Sequence, residues 1–70
     1  MENINVVFGK RVKELRNQIK ISQEKFANEI GIDRTYMTDI ENGKRNVSLF
    51  IIEKIAKGFE MCLSDLLKGL

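Results

Sequence analysis

Between Gln23 and Ile40 a small residue, Ala27, is followed four positions later by a glycine, Gly31, with a short helical pattern on either side. Two helices that meet at about 90–120° across a turn of roughly 3–4 residues need a small side chain at their contact and a glycine where the backbone takes positive φ. Ala27 meets the first need and Gly31 the second. The helix after the turn is then held out from the body, with one face in and the other free.

The rest of the chain reads as helices of matching size. Phe8, Val12, Leu15 and Ile19 recur at helical spacing and predict a first helix from about Asn5 to Gln18, with Lys13 and Arg16 on other faces. Ser22 is a good N-cap for a second helix, Gln23 to Ile30, with Ile21 and Phe26 placed as a hydrophobic staple. Its buried face is Phe26, Ala27 and Ile30. Asp33 caps a third helix, Arg34 to Asn42, of which Met37 and Ile40, with part of Tyr36, point inward; Gly43 stops it. Ser48 caps a fourth, Leu49 to about Phe59, with Leu49, Ile52, Ile55, Ala56 and Phe59 inward, and Ser64 caps a short fifth with Leu66 and Leu67. There is no strand signal and no proline, so the expected fold is an all-α, five-helix single domain.

Several function classes are excluded by composition. With no histidine and one cysteine, Cys62, neither a zinc site nor an internal disulfide is expected, and Cys62 reads as a small apolar filler. No apolar run approaches the ~20 residues of a membrane span, and Met1 to Lys10 lacks the pattern of a secretory leader, so the cytoplasm is the expected location. No nucleophile–base pair, supported acidic pair or Gly-rich phosphate loop is present, and enzymatic activity, a cofactor or a small-molecule ligand is not expected. Net charge is only +2, from 12 basic and 10 acidic residues. The imbalance lies early: Lys10, Arg11, Lys13, Arg16 and Lys20 outnumber Glu2 and Glu14 in the first twenty residues, and this group reads as a solvated face, with one or two of its members placed to come near a DNA backbone. A nucleic-acid partner would have to be held by a few local contacts, not by a broad cationic surface.

The third helix supplies such contacts. It is polar outside its inner stripe and opens with Arg34, Thr35 and Tyr36. In a helix docked by its N-terminal end in the major groove of DNA, first-turn residues reach base edges. Arginine matches guanine O6 and N7, and threonine pairs with a base edge or touches a thymine methyl. Tyr36 offers a ring to a thymine methyl or a hydroxyl to a phosphate. Thr38 and Asp39 lie one turn later on the same face. Asp39 has two open readings, acceptance from a cytosine amino group or repulsion of wrong sequences. Asp33 both caps the helix and is placed to pin Arg34. In the following loop, Lys44 and Asn46 suit phosphate, and Arg45 is long enough to return to a base or enter the minor groove. Gln23 can place backbone N–H groups and its amide on a phosphate. Glu41 either pairs with a nearby cation to hold the loop or sits on the surface.

Phe50, Ile51, Met61, Leu63, Leu66, Leu67 and Leu70 make more apolar surface than a 70-residue monomer hides easily. A two-fold pairing through the fourth and fifth helices would cover part of it. The reading helices of the homodimer would then stand about one DNA turn, ~34 Å, apart. The expected division is a DNA-reading unit at about 22–42 and a dimerisation region at about 49–70.

The chain resembles the lambda-repressor-like helix-turn-helix family in its Cro/CI-type, or xenobiotic-response-element, branch. The likeness runs from Phe8-Gly9-Lys10-Arg11-Val12 to Leu63-Ser64-Asp65-Leu66-Leu67, and rests most on Ser22 to Ala27, Gly31 and Ile40-Glu41-Asn42-Gly43. Asp33 to Tyr36 and Ile40 to Ser48 are similar to the controller proteins of type II restriction–modification systems. That resemblance implies a dimer on a double-stranded DNA operator, activating and, at higher dose, repressing its own operon. It implies base contacts from Arg34, Thr35, Tyr36 and Arg45, and phosphate contacts near Gln23, Asn46 and Ser48. A contact with RNA polymerase through Glu24 and Glu29 is a further expectation. Other members of the fold, phage or host repressors and antitoxins, share parts of the pattern, and a helical protein–protein adaptor would keep the fold without binding DNA. Gly58 departs from the family pattern, so a loosened end to the fourth helix is expected.

Overall fold

The computed structural model describes residues 3–70; Glu2, counted above in the early charge balance, lies outside them. Five helices follow one another: α1 (Ile4–Gln18), α2 (Gln23–Ile30), α3 (Arg34–Glu41), α4 (Leu49–Gly58) and α5 (Leu63–Leu66). No strand occurs among the described residues. α1 packs on α3, α2 packs on both α3 and α4, and α5 closes against α4.

Local chemistry sets the helix ends. The Ser22 hydroxyl accepts from the Lys25 N–H, the Asp33 carboxylate from Thr35 N–H and the Ser48 hydroxyl from Ile51 N–H, each satisfying an otherwise orphaned donor of the first turn. Gly31 takes φ of 74°, and Ile32 N–H and Gly31 N–H return to the carbonyls of Ala27 and Asn28. This pairing turns the chain sharply into α3.

The core is one cluster: Phe8, Val12, Phe26, Ala27, Met37, Ile40, Ile55, Ala56 and Leu66. Each large side chain fully buried here contributes about 1.5–3 kcal/mol relative to exposure. Phe26 and Phe59 stack with centroids 4.3 Å apart. Ala27 is wholly buried where α2 meets its neighbours, as the Ala27/Gly31 spacing demands.

Several expectations are corrected. Ile19 and Leu49 are not inward-facing: they are 56% and 75% exposed, because α1 ends before Ile19 and Leu49 stands at the first, outermost position of α4. α5 begins at Leu63, so Ser64 lies inside it. Cys62 takes the cap position, exposed, with its Sγ 3.1 Å from Ser64 Oγ and no capping bond. Gly58 does not loosen α4. A Cβ there would run into Ile30 Cγ2 and stand 2.9 Å from Phe26 Cε1, so the missing side chain is what lets α4 press onto α2. Arg11 leaves the solvated face to donate to the carbonyls of Asp65 (2.9 Å) and Leu66 (3.2 Å), satisfying the end of α5.

Candidate nucleic-acid interface

Met37, Ile40 and Glu41 face inward on α3, which leaves Arg34, Thr35, Tyr36, Thr38 and Asp39 on its outer side. Arg34 and Thr35 are exposed at the first turn; Tyr36, Thr38 and Asp39 are half-buried along the same helix. The five residues read from the sequence as base-contacting on α3 are therefore brought together. Arg45 joins them from the loop: its Nε is 3.2 Å from Asp39 Oδ2, and its guanidinium carbon lies 5.1 Å from the Tyr36 ring centroid. Asp33 is spent on the cap and does not pin Arg34. That role falls to Glu24 of α2, whose Oε2 accepts from Arg34 Nη1 at 3.3 Å. Glu29, the other acid expected to face a polymerase, is exposed.

A buried network fixes how α3 is presented. Arg16 donates twice to the Glu41 carboxylate, at 2.8 and 3.0 Å, and once to the Ile21 carbonyl at 3.0 Å. Glu41 Oε1 also accepts from Gln23 Nε2 at 3.2 Å, and Gln23 Oε1 accepts from the Thr38 hydroxyl at 2.7 Å. α1, the start of α2 and the second turn of α3 are thus tied by one network, in which the bonds made by Arg16 and Glu41 are charge-assisted. The hydrogen bond to Glu41 holds the Arg16 guanidinium above its ordinary pKa, against the burial that would lower it. Two readings are corrected here. Arg16 is not on a solvated face, and of the two readings of Glu41 the surface one is overturned: Glu41 is buried and paired with this α1 cation. Gln23 uses its amide oxygen and one amide N–H inside the protein, which leaves the α2 backbone N–H groups and the second amide N–H as its means of meeting a phosphate.

The residues read as phosphate-contacting line the rim beside α3. Lys44, Asn46 and Ser48 are all exposed. Asn46 is steadied by Asn5 Nδ2 at 2.6 Å, and Ser48 keeps a hydroxyl hydrogen free to donate while its oxygen caps α4.

On the side of α4 and α5, Phe50 and Leu63 are exposed, and Ile51, Met61 and Leu67 are half-buried. Leu66 is corrected: it has no exposed area and belongs to the core, since a single-turn helix must anchor itself through one inward side chain. Leu49, read as core, joins the exposed apolar group in its place. A groove of about 300 Å³ adjoins it, lined by Ile4, Asn5, Phe8, Val47, Ile52, Leu67 and Leu70.

A family model described as helix-turn-helix matches residues 12–66. The control protein C.MunI of a Mycoplasma species is 51% identical over 94% of this chain and 90% of its own length. Among solved structures, the restriction–modification controller protein C.AhdI from Aeromonas hydrophila superposes with a TM-score of 0.87 at 41% identity, over 91% of this chain and 97% of that one. The restriction–modification controller protein C.Esp1396I, solved as a tetramer in complex with its natural 35 base-pair operator, superposes with a TM-score of 0.87 at 26% identity, over 97% of this chain and 90% of that one.

Proposed function

We propose, from the premise that this chain belongs to the helix-turn-helix family, that it is a sequence-specific DNA-binding transcription regulator, the controller of a type II restriction–modification system. It binds its operator as a homodimer, activating and then limiting expression of its own operon, in the cytoplasm of a bacterium. The observation that carries this reading is the division of α3. Met37, Ile40 and Glu41 hold the helix, and Arg34, Thr35 and Tyr36 are left outside at the end that enters a major groove. The frame matches, over most of both chains, a controller protein seen on its operator.

Mechanistically, the buried network and the Ala27/Gly31 turn hold α3 at a set angle, so that binding spends little on ordering it. Arg34 reads a guanine, Thr35 and Tyr36 read neighbouring base edges, and Thr38, Asp39 and Arg45 extend the reading surface. Lys44, Asn46, Ser48 and the backbone at Gln23 set the register on phosphates. Phe50, Leu63 and the half-buried Ile51, Met61 and Leu67 supply the dimer seam. When the dimer sits beside a promoter, Glu29 and Glu24 are the groups available to RNA polymerase.

A mobility-shift titration of the protein against the DNA upstream of its own gene tests the reading. The wild type should select that fragment over random duplex. Arg34→Ala should lose about 1–3 kcal/mol on the operator with little change on random DNA. No retardation of the upstream fragment at low salt would favour the adaptor reading, and equal losses on both duplexes would remove Arg34 from the base-reading set.

A further inference from the structure

Asp39 is an acid on a face that meets phosphates, and its surroundings give it a task. α3 ends with Lys44 N–H bonded to the Asp39 carbonyl at 2.9 Å and Gly43 N–H to the Ile40 carbonyl at 3.1 Å. This ending folds the loop back over the last turn of the helix and brings Arg45 alongside it. Asp39 and Tyr36 are three residues apart on α3 and so share a face. Arg45 is held at both: by the Asp39 carboxylate at 3.2 Å and over the Tyr36 ring at 5.1 Å. The other arginine of the reading face is held differently. The Arg34–Glu24 pair spans 3.3 Å, both side chains are about two-thirds exposed (63% and 64%), and no ring backs it. The Asp39 side chain is 28% exposed, so its hold on Arg45 is the better shielded of the two.

We propose that Asp39 is a specificity-determining residue that acts through Arg45, holding that cation on the reading helix and withholding it from the phosphates of non-operator DNA. The inference rests on the DNA-binding reading above. Binding to non-operator DNA comes almost wholly from phosphate neutralisation and the counterions it releases. A cation already paired with a carboxylate of its own protein releases fewer. At the operator, a base edge or a narrow minor groove offers Arg45 a bidentate or field-focused partner that outcompetes the internal contact. Asp39 thereby lowers affinity everywhere and raises the ratio of operator to non-operator binding.

The test is a double-mutant cycle on the full-length protein: wild type, Asp39→Asn, Arg45→Gln and the double variant. Each is titrated by fluorescence anisotropy over a range of salt against the upstream fragment and a scrambled duplex of equal length. Asp39→Asn should tighten the scrambled duplex about three- to tenfold per protomer, steepen the salt slope by about one unit per protomer, and lower the operator-to-scrambled ratio. In the Arg45→Gln background the same substitution should change neither affinity nor slope appreciably. An equal gain in both backgrounds would mean that Asp39 repels phosphate directly, and no gain in either would mean that Arg45 is not withheld; each outcome overturns the proposal. A wild type that retards neither duplex removes the DNA-binding reading itself, a different result from either. Asp39 lies outside the core and Asn keeps its shape, so unchanged helical circular dichroism certifies the variants as folded.

Discussion

Arg16 and Glu41 stand 25 positions apart and meet inside the protein through two N–H···O bonds. Removing one charge of a buried pair leaves the other uncompensated, which costs about 3–5 kcal/mol, whereas replacing both with apolar residues of similar volume is often close to neutral. Arg16→Met should therefore lower the urea midpoint steeply, by an amount that is a large part of a small domain's total stability. Arg16→Met combined with Glu41→Leu should recover most of it. A single substitution costing less than about 1 kcal/mol would show that water reaches the pair and relieves it. The pair was only half legible. Both charges carry the spacing of core residues, Arg16 four after Val12 and Glu41 four after Met37, but pattern reading discounts a charge on an apolar stripe unless its partner is already in view. The outer residues of α3 were legible for the opposite reason: once Met37 and Ile40 are assigned inward, helical period leaves Arg34, Thr35 and Asp39 nowhere else to go. Their pairing with Glu24 and Arg45 depends on neighbouring elements, which no local spacing encodes.

Among the described residues, α1 to α4 are each followed by a residue in the left-handed region, and two of those residues are not glycine: Lys20 and Glu60, each at φ 57°. Around them Ile21 N–H returns to the Arg16 carbonyl and Met61 N–H to the Ala56 carbonyl, the same closure seen after α2. A side chain in that conformation is disfavoured by about 1 kcal/mol, partly offset by the looser unfolded chain that glycine brings. Glu60→Gly and Lys20→Gly should each raise stability by about 0.5–1 kcal/mol in chemical denaturation, with no change in DNA affinity. A fall in stability for either would show that its side chain contributes more than the backbone strain it bears. At this scale the caps at Ser22, Asp33 and Ser48 were fully legible, because a cap is a contact within three residues. α5 was not: at four residues it has no period to read, and its start is set by Leu66 reaching the core and by Arg11 closing its carbonyl end.

At the scale of the whole molecule, the described residues span 31 × 24 × 23 Å, too little to bury every apolar side chain the sequence carries. Leu49, Phe50, Leu63 and Leu70 stay exposed, and Leu70 lines the groove between α1, α4 and the C-terminal end. If this surface is the seam between two copies, Phe50→Asp should shift sedimentation at micromolar concentration from dimer to monomer. It should weaken operator binding by at least about tenfold, because each protomer then binds one half-site without the other. Unaltered sedimentation would place the seam elsewhere. The existence of an apolar excess was legible from composition and burial limits. Its members were not all so: Leu66 and Leu49 exchange places between core and surface because one inward residue anchors α5 and the first residue of α4 overhangs the loop. The division of α3 carries a consequence for how such proteins diverge. Arg34, Thr35 and Asp39 take no part in the core, so they can be exchanged for other residues without the fold having to be solved again, and on the proposed reading a handful of surface changes would retarget such a protein to a new operator. Thr38 and Tyr36 are exceptions. The Thr38 hydroxyl bonds to Gln23 and the Tyr36 ring packs against the core, so both serve the scaffold as well as the proposed reading face, and at these positions a change of target and a change of stability cannot be separated.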